Sequence, residues 1–137
     1  MQGSCLCAQV RFEIKGEFSH FYLCHCSHCR KDSGSAHGAN LFSNSATLTW
    51  LSGEPLVRHY QLPHSAHCKS FCSRCGSALP MYQQQGDLLV VPAGSLDDDP
   101  NINVTAHIFY ADKARWEKGF EDIQRFSGAP KLQQSEE

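Results

Sequence analysis

Residues 1–128 predict a single, mainly β domain of short strands, and three observations carry that prediction. Apolar side chains alternate at Val10, Phe12 and Ile14, the period of a strand with one buried face. Turn-forming stretches such as Ser52-Gly53-Glu54-Pro55 and Gln83-Gln84-Gln85-Gly86 punctuate the chain at short intervals. No long helical period interrupts them. Residues 129–137 are polar and read as a disordered tail.

The 137 residues suffice to bury one core without outside help. The formal charge is -2, with 12 Lys+Arg against 14 Asp+Glu spread along the chain, so no basic stripe favours nucleic acid. No apolar run approaches the roughly 20 residues of a membrane helix. The first residues lack the charged start and apolar middle of a secretory signal, so a cytoplasmic location is expected. In a reducing compartment, eight cysteines point to metal binding before disulfides.

Cys5-Leu6-Cys7 leads directly into the strand at 10–14. On an extended chain residues two apart point the same way, so both thiols would reach one ion. A disulfide between them is disfavoured, because so short a loop strains both dihedrals. A matching pair lies in Cys72-Ser73-Arg74-Cys75-Gly76, which has the form of a zinc knuckle. Cys5, Cys7, Cys72 and Cys75 together predict one closed four-thiol site. It would clip the start of the domain to its middle and contribute to folding, with no position left for chemistry.

A second strand at 18–23 delivers the chain into Cys24-His25-Cys26-Ser27-His28-Cys29. Cys24 and Cys26 share a face by strand spacing, and Cys29 returns to them after a short turn. Three soft donors suit zinc and leave one of its four positions for water or a substrate thiol. His25 should point away from these ligands and His28 is less constrained. Either is an alternative fourth ligand, although a supporting or solvent-facing role fits better. Arg30-Lys31 would lower thiol pKa values, meet an anionic substrate group, or simply be solvated. Residues 33–38 form a flexible loop suited to a pocket edge or a turn.

Further strands are expected at 40–42, 47–51, 56–60, 77–82, 87–91 and 104–110, with 61–66 as an exposed connection, 66–71 running into the knuckle, 83–86 as a hairpin connection and 112–118 as a short helix or turn. Cys68 reads as a spare buried thiol, with ligation as the alternative because Cys72 is close. Asp97-Asp98-Asp99-Pro100 reads as a solvated turn rather than a cation site. His107 would orient a metal-bound group, carry a proton near neutral pH, or sit in the core.

Gly3-Ser4-Cys5-Leu6-Cys7, the cluster at 24–29 with Arg30-Lys31, Phe71-Cys72-Ser73-Arg74-Cys75-Gly76 and Gly94-Ser95-Leu96-Asp97 together resemble the glutathione-dependent formaldehyde-activating enzyme (GFA or CENP-V domain) family. His107-Ile108-Phe109 with Lys113-Ala114-Arg115-Trp116 is similar to that family's closing motif, so the resemblance covers approximately residues 3–126. It implies a β-tent fold of short antiparallel strands and two zinc ions. One would be structural, at Cys5, Cys7, Cys72 and Cys75; the other would be catalytic, at Cys24, Cys26 and Cys29. It also implies a carbon-sulfur lyase activity that joins glutathione to formaldehyde as S-hydroxymethylglutathione. The chain departs from the family where Ala8 stands in place of the frequent glycine after the first Cys-X-Cys, and in having Cys68.

Three anionic sulfurs make zinc a weak Lewis acid but a tolerant host for a fourth sulfur, which favours thiol activation over water activation. His25, His28 and His107 are the candidate proton carriers. The rival readings are a zinc-stabilised β-tent module that binds protein partners without catalysis, and a redox or metal-buffering protein.

Overall fold

The structure, a computed structural model, describes residues 1–131. From residue 132 onward the expected tail lies outside the described residues. Among the described residues eleven short strands and one α-helix follow one another, with five single-turn 3-10 helices between and after them: β1 (Gln2–Ser4), β2 (Arg11–Lys15), β3 (His20–Cys24), α1 (Ser27–Ser33), β4 (Gly38–Ser43), β5 (Thr47–Ser52), β6 (Val57–Gln61), β7 (Cys68–Cys72), β8 (Ala78–Leu79), β9 (Met81–Gln83), β10 (Leu88–Pro92) and β11 (Ala106–Ile108). The mainly β expectation is borne out. No helix among the described residues is long and apolar enough to cross a membrane.

The strands form three sheets, ordered β1-β2-β5, β11-β3-β4-β10-β9 and β6-β7-β8. Every pairing is antiparallel except β11 against β3, which is parallel and sets Ile108 beside Cys24. The alternation read at 10–14 does what its period dictates, since Val10, Phe12 and Ile14 are buried and Arg11 and Lys15 exposed. They share one core with Leu41, Leu79, Leu89 and Val91 from the other two sheets. Fully burying a side chain of this size is worth about 1.5–3 kcal/mol. Phe12 meets Trp50 edge-on, with ring centroids 6.0 Å apart.

Three local expectations are corrected. Cys5-Leu6-Cys7 lies in a turn instead of an extended segment, because the Ala8 amide donates to the Cys5 carbonyl at 3.0 Å. Ala8 closes that turn with φ of 64°, a left-handed conformation that glycine adopts more readily. The segment after Cys26 is a helix, α1, where a short turn was expected. Its seven residues include no buried one, so no apolar period announces it. It ends at Gly34, whose φ of 63° and amide bond to the Arg30 carbonyl form a left-handed C-terminal cap. The segment at 77–82 is two strands, interrupted at Pro80, which has no amide to donate to a ladder.

Candidate functional site

The turn at the start of the chain and the turn after β7 bring Cys5, Cys7, Cys72 and Cys75 together, their sulfurs all within 4.8 Å of one another. Cys5 and Cys7 Sγ are 3.5 Å apart, and Cys7 and Cys72 Sγ 4.0 Å. Tetrahedral ligation with Zn–S bonds of about 2.3 Å needs sulfurs about 3.8 Å apart, so the donor set fits a zinc ion. Backbone amides already point at the sulfurs: Val10 N–H donates to Cys5 at 3.3 Å and Arg74 N–H to Cys72 at 3.4 Å. Ser77 Oγ lies 3.3 Å from Cys75 Sγ, and that hydroxyl lowers the thiol pKa to about 5.

Cys24, Cys26 and Cys29 form the second group, again within 4.8 Å of one another. Cys24 ends β3, Cys26 is the N-cap of α1, and Cys29 sits in its first turn. Cys26 Sγ accepts the Cys29 amide N–H at 3.4 Å. Burial acts to raise the Cys26 pKa, but the Cys29 amide and the neighbouring thiols outweigh it and hold the value below that of a free thiol. Burial pushes Cys24 and Cys29 up instead. Among the described residues, no fourth histidine, cysteine or carboxylate joins this group. Each cluster could hold a metal ion, and the second offers three side-chain donors.

A cavity of about 230 Å³ opens beside this second group, with Cys24 and Cys29 in its wall. Phe42, Leu79, Val90 and Ile108 make much of the lining apolar, and Asn40 and Gln83 bring amide groups. Asp32, His67 and Lys69 complete the polar part. His67 Nε2–H donates to Asp32 Oδ2 at 2.8 Å, Lys69 Nζ lies 2.8 Å from Asp32 Oδ1, and Lys69 also donates to the Asp32 carbonyl at 2.9 Å. Sequence reasoning missed this trio, because 35 residues separate Asp32 from His67. Cys68 lines the same cavity, only partly buried, where its thiol donates to Met81 Sδ at 3.7 Å. It belongs to neither thiol cluster.

The three histidines singled out from sequence lie elsewhere. His25 is buried, and its Nε2 shares a hydrogen bond of 2.8 Å with His107 Nδ1. Its Nδ1 is 2.9 Å from Glu117 Oε1, a close contact without hydrogen-bond alignment. Burial lowers the His25 pKa against the opposing pull of Glu117. Its backbone is fixed as well, since its amide donates to the Ile108 carbonyl at 3.0 Å and its carbonyl accepts from Arg30 Nε at 3.2 Å. Arg30 therefore braces the cluster's backbone. Neither His25 nor His107 lines the cavity; nor does His28, whose ring lies 5.5 Å from that of His67.

The sequence matches the family model described as "Glutathione-dependent formaldehyde-activating enzyme" over residues 1–112. The chain belongs to this family. A Halomonas elongata protein bearing the same family name is 32% identical over 126 residues, which cover 85% of this chain and 78% of the relative. A crystal structure of a Rhodobacter sphaeroides protein has a similar fold, with a TM-score of 0.57 and 22% identity over 78% of this chain and 99% of that one. The GFA match takes in both thiol clusters and the whole cavity wall, whereas Glu117, the acidic neighbour of His25, lies beyond it.

Proposed function

We propose that this GFA-family chain binds two zinc ions, one at Cys5, Cys7, Cys72 and Cys75 and one at Cys24, Cys26 and Cys29, and joins glutathione to formaldehyde as S-hydroxymethylglutathione. The single observation that carries the reading is a three-thiol group of which two members, Cys24 and Cys29, line a largely apolar cavity. When bound there, zinc supplies a positive charge that favours the thiolate form of an incoming thiol at neutral pH.

The chain's own residues do the rest. Cys24, Cys26 and Cys29 hold the charge at the cavity wall, and α1 keeps two of them in register through its first turn. Phe42, Leu79, Val90 and Ile108 exclude water around the reacting sulfur, which strengthens electrostatic interactions inside. Asn40 and Gln83 offer amide donors to the aldehyde oxygen. In the reaction, the sulfur forms a bond to the aldehyde carbon, the carbonyl π pair moves onto oxygen, and oxygen takes up one proton.

The test is to follow the exchange of labelled formaldehyde with glutathione by NMR, using zinc-loaded protein. Acceleration well above the spontaneous rate is expected, and Cys26→Ser should abolish it. A wild-type rate equal to the spontaneous one would refute the reading.

A further inference from the structure

We propose that His67, held in place by Asp32, carries the proton of this reaction. The inference rests on the reading of the cavity as a site for thiol addition to an aldehyde.

Asp32 and His67 line the same cavity as Cys24 and Cys29, so a molecule that fills it meets both the thiol group and this pair. The bond from His67 Nε2–H to Asp32 Oδ2 places the proton of the neutral ring on Nε2 and leaves Nδ1 as the acceptor. Asp32 itself is immobilised, because Lys69 grips both its carboxylate and its backbone carbonyl. Lys69 also balances the carboxylate charge, so Asp32 orients the imidazole without flooding the cavity with negative charge. His67 and Asp32 are each 23% exposed, open enough to meet a ligand and shielded enough to keep their geometry. Of the other candidates, His25 and His107 bond to each other away from the cavity, and His28, although near His67, does not line it.

The groups surrounding His67 are Asp32 and His28 from α1 and Lys69 from β7, and the thiols of Cys24, Cys29 and Cys68 face the same cavity. The proton step balances without a further reactant. Nδ1 takes the thiol proton, the sulfur bonds to carbon, the carbonyl π pair goes to oxygen, and Nδ1 returns the proton to that oxygen. Histidine is the side chain best suited to such a transfer near neutral pH.

The experiment compares zinc-loaded wild type, His67→Gln and Asp32→Asn for kcat, KM and pH profile, with metal content and glutathione affinity measured by calorimetry. His67→Gln should lower kcat by about 100-fold and leave glutathione affinity within about threefold. Asp32→Asn should show a smaller loss of kcat, and added imidazole should restore part of the rate to His67→Gly. Independently of activity, the ¹⁵N spectrum of the wild-type ring should place the neutral proton on Nε2. A proton on Nδ1, or a His67→Gln kcat within threefold of an active wild type, would overturn the role of His67 alone. A wild type no faster than the spontaneous reaction would overturn the proposed function and this role with it. Should His67→Gln fail to fold, Asp32→Asn and the ring spectrum still decide the matter.

Discussion

The Cys29 amide N–H donates to the Cys26 sulfur at 3.4 Å, so one atom both caps α1 and belongs to the three-thiol group. Helix and cluster are therefore assembled by the same contact. Seven residues are too few to make a stable helix unaided. The first turn of α1 depends on this cap, which the Cys26 sulfur supplies while belonging to the cluster.

Cys26→Ser separates the two roles. Serine is among the best N-caps, so α1 should persist, with stability of the metal-free protein changed by less than about 1 kcal/mol. The second metal should be lost. If the proposed two-zinc reading holds, elemental analysis should fall from two zinc ions per chain to one, while circular dichroism stays close to that of wild type.

The four-thiol group should behave differently. Cys72 is fully buried and joins β7 to the first turn of the chain. Structural zinc contributes an amount comparable with the whole stability of a domain, about 5–15 kcal/mol. Cys72→Ser is thus expected to unfold the chain or lower its melting temperature sharply, which thermal denaturation will read directly.

Acid should act through the same ligands. Protons compete with metal for thiolates, so the loaded protein loses metal and stability as pH falls and regains both as pH rises. A chromogenic zinc indicator followed down a pH series checks the direction. Unequal release, with the three-thiol group emptying first, is the expected order, because it has one side-chain donor fewer.

Much of this arrangement was legible from the residues. Both thiol groups followed from spacing, and the strands at 10–14, 47–51 and 87–91 followed from alternation and turn residues. The helix was not legible, since a stretch whose cap is a cysteine and whose residues are all at least partly exposed has neither the usual cap nor an apolar period. The Asp32–His67–Lys69 cluster was invisible for another reason. Its members gain meaning only when β7 comes to lie beside α1, and no local pattern encodes that approach.

Ala8 offers a test of strain. With φ of 64° it occupies a conformation that costs a residue with a Cβ about 1–2 kcal/mol. Ala8→Gly is expected to raise stability by about 1 kcal/mol in urea unfolding, after the greater freedom of glycine in the unfolded chain is offset.

Glu117 completes the set. It is buried beside His25, and Glu117→Leu would remove the acidic neighbour of Nδ1. Because no aligned hydrogen bond is lost, the change expected in chemical denaturation is smaller than the cost of newly orphaning a buried polar atom, about 1–3 kcal/mol.

The parallel pairing of β11 with β3 has a consequence for how the chain matures in the cell. The ribosome releases Cys24, Cys26 and Cys29 some eighty residues before Ile108, whose carbonyl secures the peptide between the first two of them. The edge of β3 that carries Cys24 can therefore be covered by β11 only after the three sulfurs have all been synthesised. A metal bound at these sulfurs would enter more easily before β11, the last strand among the described residues, pairs along that edge.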